Sequence, residues 1–330
     1  MKKLKSLLVL LLTALTCLSS ACLGQDTVAN NLFAGSYWSS ETSADLAPVN
    51  ETCVYNVTFE KIEDGEDLLT ALSFEGTLTT IFTKTAYEGT PCYKFETIFS
   101  ATGQYSYKGT TSEVFTDSAT SVVYFLGLNE KFSPLYSEKY NFSTAPIVSA
   151  STNEVKFVTM EYQTKTVYDA ESKKATATFT GLDGSTEGYK LQDSEKVYEN
   201  YTKSSPIIDN ESLFVIPRAA GLSDKGFSSS FYSLDVISQK IHPMRLTVNS
   251  TNPTGEIDLG EIKVNGLKTN LKLPVYNAQI AINEEFSGSA IELFYAVNTD
   301  QHFRRLLKIK KELAYSAGYI VYTLSSVSAS

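Results

Sequence analysis

The sequence has 330 residues, 42% of them hydrophobic and 20% charged, with a formal net charge of −9 at pH 7. That composition excludes wholesale disorder, which requires low hydrophobicity together with high net charge. The acidic balance speaks against a nucleic-acid partner, because phosphate is repelled unless a strong basic patch meets it.

In chain order, residues 1–21 read as a signal peptide. Met1-Lys2-Lys3-Leu4-Lys5 is a basic start, Leu7–Leu18 is apolar except at Thr13 and Thr16, and Ser19-Ser20-Ala21 supplies small residues before a cleavage site. The apolar run is shorter than the roughly 20 residues of a membrane span, and no later segment reaches that length. Cys22 follows Ala21, and small residues followed by cysteine resemble a bacterial lipobox, although Ser19 stands where that pattern prefers leucine. The resemblance implies a lipidated Cys22 with residues 22–31 as a tether, placing the chain at the outer face of the cell membrane or in the periplasm. Ordinary cleavage after Ala21, giving a secreted protein, is the alternative. Either event removes three lysines and takes the charge from −9 to −12.

Of the four cysteines, Cys17 leaves with the signal and Cys22 is the anchor candidate. Cys53 and Cys92 remain as a disulfide candidate in an oxidising compartment, or as two unpaired thiols. The six Asn-x-Ser/Thr sequons, at Asn50, Asn56, Asn141, Asn200, Asn210 and Asn249, are what a Ser/Thr-rich chain generates by chance behind a bacterial-looking signal.

Beyond the tether the chain reads as strands. Twenty tyrosines and eighteen phenylalanines fall in runs with valine, isoleucine and threonine, residues that suit a pleated, half-buried surface. Thr70-Leu72-Phe74 alternates with Ala71-Ser73-Glu75, and Ala175-Ala177-Phe179 alternates more cleanly with Thr176-Thr178-Thr180. Turn signals occur at Glu75-Gly76, Glu88-Gly89-Thr90-Pro91, Thr102-Gly103, Lys108-Gly109, Leu182-Asp183-Gly184 and Asn252-Pro253-Thr254-Gly255. Many short strands at such spacing mean an antiparallel sandwich, barrel or half-barrel.

Two stretches break the pattern. Helix-start chemistry at Ser205–Ser212 precedes an apolar run, predicting a short helix or two turns near 209–222. The basic stretch Gln301–Leu313 predicts a strand, followed by a turn at 311–317 and a last strand at 319–324. Residues 32–327 read as one β-rich domain, with a split near 202–208 as the alternative.

Candidate chemistry is sparse. A Ser-His-Asp triad needs a histidine base, and only His242 and His302 exist, without a Gly-x-Ser-x-Gly elbow; His242 reads as a strand-end surface residue. Glu284-Glu285 would point to opposite faces of a strand and cannot act as a glycosidase pair there. Metal-ligand spacing, phosphate loops and dinucleotide glycine motifs are missing from the sequence, so no cofactor and no metal is expected. Trp38, the single tryptophan, reads as a cover over one end of the core. Arg304, Arg305 and Lys308 belong to the one concentrated run of positive charge. With Arg218 they are candidates for a cationic lip holding an anionic head group at a cleft mouth. A charged edge strand that discourages aggregation is the competing reading of that run.

Several longer segments carry a resemblance. LSFEGTLTTIFTKTAYEGTPCYKFETIFSATGQYSYKGTTSEVF (72–115), then FSPLYSEKY from 132, resembles the front half of a family of exported bacterial domains of unknown function. IDNESLFVIPRAAGLSDKGFSSSF (208–231) resembles its Asp-x-x-Ser-x-x-x-x-x-Arg helical segment and the next strand. LPVYNAQIAI (273–282), IELFYA (291–296) and RRLLKIKKEL (304–313) resemble its later strands, with no glycine after Pro274 and Phe294 in place of a common tryptophan. The family is similar in shape to bacterial lipoprotein carriers. The resemblance implies an all-β fold with one or two short helices: a large bent antiparallel sheet, a half-barrel or open barrel, around a short helical segment. It transfers no catalytic residues. The expected function is that of a non-enzymatic cell-envelope lipoprotein whose apolar concave face binds a lipid, another hydrophobic ligand or a partner protein. A secreted carbohydrate-binding or polymer-acting protein, or a structural or adhesive surface domain, is the alternative.

Overall fold

The computed structural model describes residues 50–61, 69–107, 109–127, 131–148, 154–199, 207–219, 226–236, 239–249, 255–282, 291–297, 304–312 and 318–330. The signal peptide, Cys22, the tether, Trp38, Glu284, Glu285 and His302 lie outside the described residues.

The strands are β1 (Asn50–Lys61), β2 (Leu69–Tyr87), β3 (Thr90–Tyr107), β4 (Thr110–Thr111), β5 (Phe115–Phe125), β6 (Pro134–Val148), β7 (Val155–Asp169), β8 (Lys174–Gly181) and β9 (Ser194–Glu199). Then come β10 (Ile207–Asp209), two 3-10 turns (Asn210–Ser212 and Ile216–Ala219), β11 (Phe227–Asp235), β12 (Lys240–Val248), β13 (Gly255–Val264) and β14 (Leu267–Ile282). The chain ends with β15 (Ile291–Ala296), β16 (Leu306–Glu312) and β17 (Gly318–Ala329). The fold is nearly all-β, as the residue types require.

The first strand is the middle of the sheet. On one edge, β1 starts an antiparallel succession through β2, β3, β5, β6, β7, β8 and β9. On the other it pairs with β17, and the succession runs back through β16, β15, β14, β12 and β11. β10 joins β11 in parallel. β14 is long enough to hold β12 near one end and β13 near the other. A short parallel match of Lys263 and Val264 with Ser326 and Val327 closes β13 through β17 into a ring of five strands.

The two ends of the sheet overlap. Tyr168, Ala175, Ala177 and Tyr198 of β7–β9 pack on Ile207 and Leu234 of β10 and β11, although these strands share no ladder. The sheet therefore rolls into a spiral, with β5–β9 as an outer turn around β10–β12. The larger core lies inside: Tyr55, Phe82, Phe99, Phe125, Phe132 and Phe231 are fully buried there. Full burial of such a side chain contributes roughly 1.5–3 kcal/mol.

Several strands are longer than the sequence suggests. β2 and β3 run for 19 and 18 residues, straight through Glu75-Gly76 and Thr102-Gly103. Those two glycines were expected to mark turns, and they mark close approaches. A Cβ at Gly76 would lie 2.2 Å from the Ser100 carbonyl oxygen, and one at Gly103 would lie 2.7 Å from the Phe74 ring. Glu88-Gly89 does turn, with both residues at positive φ, and returns β2 directly into β3. A bulge between Ala71 and Ser73 leaves Leu72 56% exposed while Phe74 stays buried. Ala175, Ala177 and Phe179 are buried as their alternation predicts.

Candidate functional site

The segment 207–219 lies in the curve of the sheet. Ile208, Leu213, Val215 and Ile216 enter the same apolar cluster as Phe82, Phe99, Phe125 and Phe132. Polar side chains from distant strands fasten its two ends.

At the first end, Asp209 caps the 3-10 turn, accepting the Glu211 backbone N–H at 2.9 Å, and the Ser212 hydroxyl returns to the Asp209 carbonyl at 2.8 Å. The other carboxylate oxygen of Asp209 accepts hydroxyls of Ser137 (β6, 2.6 Å) and Tyr168 (β7, 2.5 Å). Burial pushes the Asp209 carboxyl above its ordinary range, against the pull of those two hydroxyls. Beside it, the buried Lys139 of β6 stands 3.6 Å from the Glu211 carboxylate. These contacts join the inner turn of the spiral to the outer one.

At the second end, Glu51 of β1 is gripped by two guanidiniums. Arg218 donates to one carboxylate oxygen at 2.5 Å and Arg305 to the other at 3.0 Å. Arg218 also donates to the Arg304 carbonyl at 3.3 Å, and Arg304 to the Arg218 carbonyl at 3.2 Å. The Arg218 guanidinium lies 5.6 Å from the centre of the Phe82 ring. Burial alone would raise the Glu51 carboxyl, but the charges of Arg218 and Arg305 overcome it and hold the group below its ordinary value. Tyrosines pin the stretch between the two ends: Tyr295 donates to the Phe214 carbonyl at 2.8 Å, and Tyr276 to the Pro217 carbonyl at 3.0 Å.

The structure thus brings Arg218, Arg304 and Arg305 together, but inside the protein and not as a lip. Each is under 7% exposed. The reason is the parity of β1, whose buried positions 51, 53, 55 and 57 carry Glu51 inward with Cys53, Tyr55 and Val57. The ion-pair partner of Arg218 is Glu51. Lys308 stands apart from the arginines, 3.7 Å from the Glu60 carboxylate.

Cys53 and Cys92, the disulfide candidates, are both buried free thiols in this structure. Cys53 faces Thr80 on β2, which faces Thr97 on β3, five residues from Cys92. That is about 16 Å along the strand and two strand spacings across, against a Cα separation below about 7 Å for a bridge. Burial pushes the Cys53 thiol up to about 12, so it stays protonated and unreactive. His242 is also not a surface residue; it is buried on β12 on the same face as Met244 and Leu246.

Sequence reasoning missed Glu51, Ser137, Lys139 and Tyr168. For Glu51 a signal was present: a carboxylate in step with Cys53, Tyr55 and Val57, while the intervening positions 52, 54 and 56 are half-buried or exposed. It also missed Asp117 on β5. That carboxylate is buried and accepts the Thr144 backbone N–H at 2.8 Å. Burial pushes it up to about 7 despite that bond.

Among the described residues, no group of His, Cys, Asp and Glu side chains could hold a metal ion, and no helix is long and apolar enough to cross a membrane. No protein-family model and no curated protein matches the chain. Among solved structures it is similar to a beta-barrel-like protein of domain of unknown function DUF1849 from Brucella abortus, at 10% identity and a TM-score of 0.49, over 86% of this chain and 99% of that one.

Proposed function

We propose that the chain is an exported cell-envelope protein, anchored through a lipidated Cys22, which binds a target without transforming it, and that the curve of its sheet receives a lipid or another hydrophobic ligand. One observation supports this reading above others. The segment 207–219 sets four apolar side chains against an aromatic wall and is otherwise held by individual polar contacts at Asp209, Glu211, Phe214, Pro217 and Arg218. It hydrogen-bonds to the sheet ladder through three residues only. In that arrangement the segment stands where an apolar ligand would lie, and the ligand enters by displacing it. The buried carboxylates support a binding role as well, because Glu51 and Asp209 are occupied in fastening the segment.

The test is to express the full precursor in a bacterial host, purify it in mild detergent, and take an intact mass together with a mass spectrum of the organic extract. A diacyl mass on Cys22 and a retained lipid are expected. An unmodified N-terminus overturns the anchor, and a protein with no extractable ligand overturns the receptacle. Cys22→Ser should release the protein from the membrane fraction without unfolding it.

A further inference from the structure

The inward face of β6 is not built like core. Its buried positions 137, 139, 141 and 143 are Ser, Lys, Asn and Ser, and an apolar residue returns only at Ala145. A buried polar group destabilises unless a partner meets it. Asn141 donates to Ser143 at 2.8 Å within the strand. Ser137 and Lys139 turn to the segment 207–219 instead. Ser137 donates to one Asp209 oxygen at 2.6 Å, Tyr168 of β7 donates to the same oxygen at 2.5 Å, and the Lys139 ammonium stands 3.6 Å from the Glu211 carboxylate. All five side chains belong to residues exposed by 8% or less.

The roles at this end are one-sided. The sheet supplies two hydroxyls and an ammonium, and both carboxyl groups arrive with the segment. The other end differs, because there the sheet side holds a carboxylate of its own: Glu51 pairs with Arg305 at 3.0 Å, and both stay behind when Arg218 leaves. A displaced segment therefore withdraws from Ser137, Tyr168 and Lys139 the oxygens they hold. Hydrogen bonds from such donors are strongest to an ionised oxygen acceptor, so what replaces Asp209 and Glu211 in kind is another anionic oxygen group.

We infer that Ser137, Lys139 and Tyr168 form the head-group seat of the interior ligand, that the head is a carboxylate or phosphate, and that Asp209 and Glu211 fill this seat when the ligand is absent. The inference rests on the interior-ligand reading above and specifies its class: an acyl chain with an anionic head. The chain takes the place of Leu213, Val215 and Ile216 along the wall of Phe82, Phe99 and Phe125.

The test is native mass spectrometry of the full chain in dodecyl maltoside, offered in turn 1-oleoyl lysophosphatidate, oleate, monoolein and oleylamine. Lysophosphatidate differs from monoolein only by its phosphate. The wild type should take up lysophosphatidate or oleate at least about tenfold more readily than monoolein or oleylamine, and the phosphate and carboxylate arms separate a phospholipid head from a fatty acid. Lys139→Met and Tyr168→Phe should each lower the anionic-to-uncharged ratio about threefold or more, while Lys139→Arg keeps it; thermal melts check that each variant is folded. The ratio is the readout because a segment merely loosened by a substitution admits monoolein and its phosphate alike. Equal wild-type uptake of all four amphiphiles overturns the inference and leaves the interior ligand standing. A ratio that both variants leave unchanged overturns it too. A chain that takes up none of the four overturns the receptacle itself, and the inference with it.

Discussion

Asp117→Asn should make the protein more stable at alkaline pH and not at acid pH. Asp117 is buried on β5, and the backbone N–H of Thr144 points at its carboxylate. Burial penalises the charged form and moves the group from 3.8 to about 7 in the folded state. Between about pH 4 and 7 the folded chain thus keeps a proton that the unfolded chain has released. Stability contributed by this group is full below pH 4 and is lost as pH rises through 7. At about 1.4 kcal/mol per unit, a shift from 3.8 to about 7 amounts to about 4 kcal/mol of destabilisation at pH 8. Asparagine has the same shape, its carbonyl oxygen can accept the Thr144 N–H, and it carries no charge. Its extra N–H groups give back about 1–3 kcal/mol if they find no acceptor, leaving a net gain of about 1–3 kcal/mol. Urea unfolding of both proteins at pH 4, 6 and 8 checks this, because the difference between them cancels every other titrating group. The variant's advantage should grow from pH 4 to about 7 and level off above that. Curves that stay parallel across that range would refute the reasoning.

Three further outcomes follow from the same geometry. Glu51→Gln leaves the buried guanidiniums of Arg218 and Arg305 without their carboxylate, and should lower the urea-derived stability at pH 7 by about 3–5 kcal/mol. Because the two guanidiniums hold the Glu51 carboxyl below its ordinary value in the folded chain, that difference should shrink as pH falls through its folded value. Gly76→Ala places a Cβ 2.2 Å from a backbone oxygen and should cost more than about 3 kcal/mol. Gly89→Ala meets open space at φ +82 and should cost only about 1 kcal/mol, so thermal melts should separate the two widely. Cys53 and Cys92 should both titrate as free thiols in unfolded, unreduced protein, while neither reacts quickly with iodoacetamide in the native state; a mass lower by two hydrogens would mean that they bridge.

Much of the sheet was legible in the sequence because its cause is local. Ala175, Ala177 and Phe179 alternate with threonines, and a strand with one wet face must alternate so. The capping aspartate at 209 announced the break in the strands for the same reason, since the cap is made within three residues. What could not be read is non-local. Gly76 and Gly103 look like turn residues until Ser100 and Phe74 are known to press against them. The arginines look like a surface lip until Glu51, more than 160 residues away from Arg218, is folded against them. Cys53 and Cys92 look like a pair until two strand crossings separate them.

The fastening of segment 207–219 by buried charge calls for a physical reason, because buried ion pairs are poor stabilisers compared with well-packed apolar groups. Position is what they determine. Leu213, Val215 and Ile216 could slide along a wall of Phe82, Phe99 and Phe125 with little change in buried area, since apolar contact is non-directional. Asp209 has no such latitude: it needs Ser137 and Tyr168 on one oxygen while the other caps its own turn. Arg218 needs Glu51 and the Arg304 carbonyl together. A shift of one residue would leave both ends buried and unsatisfied, at a cost of several kcal/mol. The two polar ends thus admit one seat. For the proposed entry of a ligand, a single seat means that once both ends release together, no intermediate register remains to hold the segment in the curve of the sheet.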